Sequence, residues 1–207
     1  AEAAIARARV AQKTWAKRPV AERAEIFHRY RDLVLAHRDE LMDMAQAETG
    51  KSRAAALEEV LDIAMTSRHY ARTAAKLLAP KRVTGMLPVL TKTRVRYQPK
   101  GIVGIISPWN YPFTMALCDG LPALLAGNAV VAKPDAQTML SALLGAQLLE
   151  EAGFPKDLWQ VVAGPGSRVG TSVIGKADYI CFTGSTATGK KVAAGCAERL
   201  IGCSLEL

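Results

Sequence analysis

Apolar positions follow two rhythms along this chain, and the change comes near residue 100. Through residues 1–80 the rhythm is helical. Ile26, Tyr30, Leu33, Val34 and Leu41 recur at three-, four- and seven-residue spacings and form one apolar stripe. Glu48-Thr-Gly-Lys51 interrupts the pattern, and Gly50 suits the position just past a helix end. A further helix runs through Glu58, Leu61 and Tyr70 and stops by Pro80. Thr91–Gln98 alternates in an extended manner, with charges that suit an exposed or edge strand. Pro99-Lys-Gly101 then marks a boundary. Beyond it, short apolar runs alternate with helical stretches. The pattern predicts strands at 102–107, 129–133, 159–163, 179–183 and 201–207. Helices are predicted at 113–127, with a break near Gly120 and Pro122, and at 138–153, 167–174 and 186–199. Such alternation predicts an α/β fold, an open parallel sheet covered by helices on both faces.

Composition narrows the classes. With 207 residues, half of them hydrophobic, the chain can bury a core. It holds no run of 18 apolar residues, so no membrane helix is expected. It begins at Ala1 and stops inside an apolar run. Both ends are read as cut, and a removed targeting segment stays compatible with the sequence. The four cysteines, Cys118, Cys181, Cys196 and Cys203, form no Cys-x-x-Cys pair and fit reduced thiols in a cytoplasmic protein. The three histidines lie far from them, so no metal site is expected. The net charge of +8 is concentrated in residues 1–100, with 20 Lys/Arg against 11 Asp/Glu. Acids interleave with those bases and no stacking aromatics accompany them, which argues for solvated helix faces rather than nucleic-acid binding.

Candidate chemistry clusters at the carboxyl ends of the predicted strands, where open parallel sheets bind ligands. Ser107-Pro-Trp-Asn-Tyr-Pro112 follows the first of them. Pro108 and Pro112 restrict the backbone on both sides of Asn110. Asn110 is then either a simple turn residue or a rigid amide donor. Lys133-Pro134 ends the next strand, where a lysine reaches ribose hydroxyls or a phosphate, or else stands in solvent. Asp135-Ala136 follows, at a place where dinucleotide sites often put an acid against the ribose. Thr183-Gly-Ser-Thr-Ala-Thr-Gly-Lys190 joins a strand to a helix whose free N–H groups attract a pyrophosphate. It resembles a P-loop but has Lys191 where Mg²⁺ binding needs Ser or Thr. Gly164-Pro-Gly166 is a turn with room for an adenine. Glu206 lies between Leu205 and Leu207 and shares a strand face with Gly202 and Ser204. Burial there would raise its pKa and favour a general base, the alternative being a strand-end ion pair. Cys203 points to the opposite face, and all four cysteines read as apolar filler.

Gln98–Pro112, Leu121–Pro134, Phe182-Thr-Gly-Ser185 with Gly189, and Leu205-Glu-Leu207 together resemble the aldehyde dehydrogenase family in content, order and spacing, and the early helices, with Glu48-Thr-Gly-Lys51 and Glu59-Val60, are similar to that family's opening. The resemblance covers the whole chain. It implies a Rossmann-like cofactor domain at 101–207, preceded by helices at 1–80 and an extended oligomerisation arm at 81–100. It implies that Asn110 donates to the oxyanion of a thiohemiacetal and that Glu206 activates the water that hydrolyses a thioester. Lys133 would bind the adenosine ribose or its 2′-phosphate, with Pro134, Asp135 and Ala136 beside it. Gly184 and Ser185 would hold the pyrophosphate. Ser107, Pro108, Trp109, Asn110, Gly164 and Leu207 would line the cofactor. The family commonly has Glu where this chain has Ala136, so a 2′-phosphate is not repelled and NADP is expected, with NAD as the alternative. The family's catalytic cysteine lies beyond Glu206, and no cysteine of this chain matches it, so residues 1–207 alone are expected to be inactive. Cys118-Asp-Gly-Leu-Pro122 and Lys133-Pro-Asp135 look most like the succinate-semialdehyde branch. The partners implied are a small aldehyde and further copies of the chain, as a dimer or tetramer. Two rival readings are a relative that passes the acyl group to coenzyme A and a non-catalytic scaffold that keeps the cofactor fold.

Overall fold

The structure, a computed structural model, describes residues 1–87 and 90–207. Four helices come first: α1 (Glu2–Trp15), α2 (Val20–Ala36), α3 (Arg38–Thr49) and α4 (Arg53–Leu77). The expected single stripe from Ile26 to Leu41 is split between two of them. Ile26, Tyr30 and Val34 are buried on α2, and Leu41 on α3. The chain turns at His37 with neither Gly nor Pro, so composition gave no sign of the break. Gly50 caps α3 with φ of 71°, a left-handed conformation that costs glycine nothing.

Strands β1 (Lys81–Val83) and β2 (Thr93–Val95) form an exposed antiparallel pair. Residues 88–89 of the expected arm lie outside the described residues. The remaining elements alternate. They are β3 (Ile102–Ile106), α5 (Pro112–Leu117), α6 (Gly120–Leu125), β4 (Ala129–Lys133), α7 (Met139–Ala152), β5 (Trp159–Val161), α8 (Thr171–Ile174), β6 (Tyr179–Thr183), α9 (Thr186–Glu198) and β7 (Gly202–Glu206). The strand pattern read from the sequence therefore holds, with ends trimmed by a residue or two.

Strands β3 to β7 form one parallel sheet in the order β5-β4-β3-β6-β7. The chain builds outward from β3 to β5, then returns to the other side of β3 for β6 and β7. The reversal leaves a switch point between β3 and β6, where an open sheet has a crevice at its carboxyl ends. Register sorts the two faces. One carries Ile105, Ala132, Cys181 and Ser204, and the other Gly104, Ile106, Lys133, Phe182 and Leu205. Helix α6 covers the first, since a Cβ on Gly120 would meet Trp159 and Ile105. The second is covered by the segment around α8, where Val173 lies over Gly104, and by α9.

Packing explains why the early helices belong to this body. Ile102, Ile105, Val130, Val131 and Ile180 are essentially inaccessible, each worth about 1.5–3 kcal/mol of burial. Trp15, Phe27 and Tyr30 surround Phe154, with ring centroids 5.5, 5.1 and 6.3 Å away. The Trp15 indole donates to the Leu124 carbonyl at 2.7 Å. Glu48 reaches from α3 to cap α7, accepting from the N–H groups of Leu140 and Ser141 at 2.8 Å each.

Candidate functional site

Residues singled out from the sequence gather at the carboxyl rim of the sheet, on loops that follow β3, β4, β6 and β7. After β3, Ser107 is buried and its hydroxyl has no hydrogen-bond partner among the described residues. Pro108 is half-buried, and Trp109 and Asn110 are exposed. Among the described residues nothing takes up the Asn110 side-chain amide, so both its N–H groups are free to donate. Its backbone carbonyl is held, accepting from the Lys51 ammonium at 2.8 Å.

Lys133 and Pro134 close β4, both buried, with Lys133 7% exposed. Lys133 is in register with Ile106, and Ile106 with Phe182, so the three form a row on one face. That row leads to a cavity of about 380 Å³ between the α8 segment and α9, lined by Ile106, Gly166, Gly170, Phe182, Thr188 and Val192. Its size suits a flat heterocycle. Gly164 lies just before this wall with φ of +136°, which only glycine adopts freely. Asp135 is committed locally, its carboxylate accepting from the Gln137 N–H at 3.0 Å. Ala136 is exposed and presents no charge.

Ser185 is the N-cap of α9, its hydroxyl accepting from the Thr188 N–H at 3.3 Å. The cap occupies that hydroxyl and leaves the next N–H groups of the first turn open to an anion. The Gly184 N–H is already spent on the Glu206 carbonyl at 3.0 Å. Leu207, on the cavity's face, packs over Gly189 of α9.

Glu206 departs from expectation. It is exposed, because β7 is the edge of the sheet and its row of Gly202, Ser204 and Glu206 faces outward. The burial expected from its leucine neighbours is absent, since Leu205 and Leu207 lie on the other face. Its side chain addresses the α5–α6 side, the same side into which Asn110 leads. There Asp119, between α5 and α6, keeps one side in solvent. Burial of its other side and, after that, the Glu206 charge raise its carboxyl above the usual range.

The four cysteines are free thiols. Burial raises Cys118 and Cys181 and lifts Cys196 to about 11, so these thiols stay protonated near neutrality and are poor nucleophiles. Among the described residues no group of three or more His, Cys, Asp or Glu could hold a metal ion, and no helix is long and apolar enough to cross a membrane.

Comparison with known proteins decides the family. The model of the aldehyde dehydrogenase family matches residues 1–207. The chain belongs to that family. A protein of Mycolicibacterium smegmatis, provisionally named succinate-semialdehyde dehydrogenase [NADP(+)], is 61% identical over 205 residues. That alignment takes in 99% of this chain and 40% of the relative, so the chain spans about two fifths of the curated relatives it matches. A crystal structure of an NADP-dependent enzyme of E. coli superposes with a TM-score of 0.95 at 33% identity, over 100% of this chain and 43% of the other. Betaine aldehyde dehydrogenase of Staphylococcus aureus, solved with NAD+, superposes at 0.94 with 31% identity, over 100% and 42%. The α/β parallel sheet expected from the alternating pattern is thus the fold of this family.

Sequence reasoning missed three residues of the rim. Lys51 figured only in a helix break and in the likeness of the early helices, Glu59 only in that likeness, and Asp119 only within a branch motif. A carboxylate on the otherwise apolar face of α4 was the available signal for Glu59.

Proposed function

We propose that this chain is the cofactor-binding part of an NADP-linked aldehyde dehydrogenase that oxidises a small aldehyde to a carboxylic acid. The observation that carries the reading is the unpartnered Asn110 amide at the switch point, with the Glu206 carboxylate on the same side of the sheet. The residues present fit a dinucleotide. A heterocycle-sized cavity, a lysine in the adjoining row, a helix start with free N–H groups and the orphaned Ser107 hydroxyl lie along one rim. Lys133 would take the ribose or its 2′-phosphate, and the start of α9 the pyrophosphate. The bound nicotinamide supplies the hydride acceptor.

The chain's own residues do the rest. Attack of a thiolate on the aldehyde carbon puts negative charge on the aldehyde oxygen. Asn110 donates to that oxygen as the charge develops, and needs no reorganisation to do so. After hydride loss a thioester remains, and Glu206 removes a proton from the water that attacks it. None of the four cysteines supplies the thiolate in this reading, so residues 1–207 alone are inactive. A hydrolytic base at Glu206 favours release of the acid over transfer to coenzyme A, and Asn110 with Glu206 weigh against a scaffold. Succinate semialdehyde is the substrate that the relatives' names point to.

Neutral Ala136 supports NADP over NAD, because a carboxylate at that position would repel a 2′-phosphate and this chain has none there. The same reading divides the chain into helices at 1–80, an arm at 81–100 and a cofactor domain at 101–207. It assigns the exposed β1–β2 pair to a cytoplasmic homodimer or tetramer. Steady-state kinetics of the intact protein with both cofactors test the reading. A higher kcat/KM with NADP+, and an acid product without coenzyme A, are expected. A clear preference for NAD+ refutes the cofactor assignment, and no aldehyde oxidation with either refutes the enzyme.

A further inference from the structure

We propose that Lys51 and Glu59 are positioning residues that fix the Asn110 amide for the developing oxyanion, an inference that rests on the catalytic reading above. The geometry begins with α5, a helix of only six residues whose N-cap, Tyr111, offers no side-chain cap. So short a helix does not hold its own first turn. Glu59 does that from α4. Its Oε2 accepts from the N–H groups of Phe113 and Thr114 at 2.9 and 3.1 Å. Its Oε1 accepts from the Lys51 ammonium. The Glu59 side chain is fully buried and that of Lys51 is 11% exposed.

The Lys51 ammonium has three N–H directions, and the site uses them all. One goes to Glu59 and one to the Asn110 carbonyl at 2.8 Å. The third direction meets the face of the Tyr111 ring, 4.4 Å from its centroid. Lys51 is held in turn by the bend after α3. Its N–H donates to the Thr49 hydroxyl at 3.3 Å, and its carbonyl accepts from the Gln46 amide at 3.3 Å. One ion pair thus grips the backbone on both sides of the Asn110–Pro112 segment, and Tyr111 as well. The Asn110 side chain is left as the free group on a pinned backbone. A donor to a developing charge works only if already in place, and a small misplacement is costly. A buried ion pair contributes little net stability, because desolvation offsets its attraction. Its effect is therefore read in geometry.

The test uses the intact protein, with the first-turnover NADPH burst as readout. Lys51→Met should slow the burst by about 10²-fold, the scale of a displaced catalytic group. NADP+ affinity should not change, since neither residue lies on the cavity side of the sheet. In an Asn110→Ala background Lys51→Met should cost less than about twofold, because the amide it places is gone. Equal losses in both backgrounds overturn the proposal, since that is the mark of a merely structural role. A wild-type burst from Asn110→Ala alone defeats the catalytic reading instead. In that case hydrogen exchange still judges the clamp. Faster exchange of the Phe113 and Thr114 amides in Lys51→Met keeps it, and unchanged exchange ends it. Glu59→Gln, with the same volume and no charge, is the second variant for each arm should Lys51→Met fail to fold.

Discussion

Between β3 and α5 the chain is held by side chains 50 to 60 positions away, whereas between β6 and α9 the only side chain that holds it among the described residues is its own cap, Ser185. In the first connection Lys51 and Glu59 bind the backbone at Asn110, Phe113 and Thr114. In the second, Ser185 caps Thr188 three residues on, the Gly184 N–H donates to the Glu206 backbone carbonyl of the next strand, and residues 185–188 are exposed. The difference follows from what each is asked to do in the proposed reaction. A single amide aimed at a developing charge must be fixed in direction. A helix start that receives a phosphate needs open N–H groups, and any capping charge from elsewhere would compete for them.

Breaking the distant clamp should have the largest effect on stability. Glu59→Ala leaves a mostly buried ammonium unpaired and two N–H groups without acceptors. A loss of about 3–5 kcal/mol is expected in denaturant titration. Glu206→Gln separates chemistry from stability. The residue is exposed, so the fold should not weaken. In the intact protein the NADPH burst should persist while steady turnover falls by about 10²–10⁴-fold. A lost burst would move Glu206 to the earlier step. The local cap is a smaller matter. Ser185→Ala should cost about 1 kcal/mol and leave exchange of the Phe113 and Thr114 amides unchanged. If those amides respond, the two connections are coupled and the contrast between them fails.

The smallest expected effect concerns pH. The Asp119 carboxyl is raised in the folded protein, so the native state keeps its proton where the unfolded chain has lost it. Stability therefore falls as pH rises from the usual aspartate value of 3.8 through the higher folded one. Asp119→Asn should flatten that fall, as should Glu206→Gln by removing the second cause. A slope identical to the parent's would show that the two carboxylates do not sense each other.

The sheet was legible in the sequence and the clamp was not, for physical reasons. β3, β4 and β6 are short, largely apolar runs, each with a Gly or Pro within two residues of at least one end, so both their identity and their ends show in one dimension. The turn at His37 has no such marker and went unseen. Alternation correctly put Glu206 opposite Leu205, but its exposure depends on β7 being an edge strand. That is a property of strand order, which a local pattern does not carry. Lys51 meets Asn110 across 59 positions, a contact made only when α3, α4 and α5 are packed together. The candidate residues on the strand ends were found because Pro, Gly and Asn mark those ends. Their supports were missed because Glu59 stands inside a helix, where a charged residue looks like any solvated one, and Lys51 in the bend between two helices, far in sequence from its partner.

The most direct test of the account is the first turnover of the intact protein with Asn110→Ala. With saturating aldehyde and NADP+, the NADPH burst should slow by about 10²–10³-fold, with thermal stability unchanged. A burst at the parent rate would contradict the role given to the amide at the switch point of this sheet.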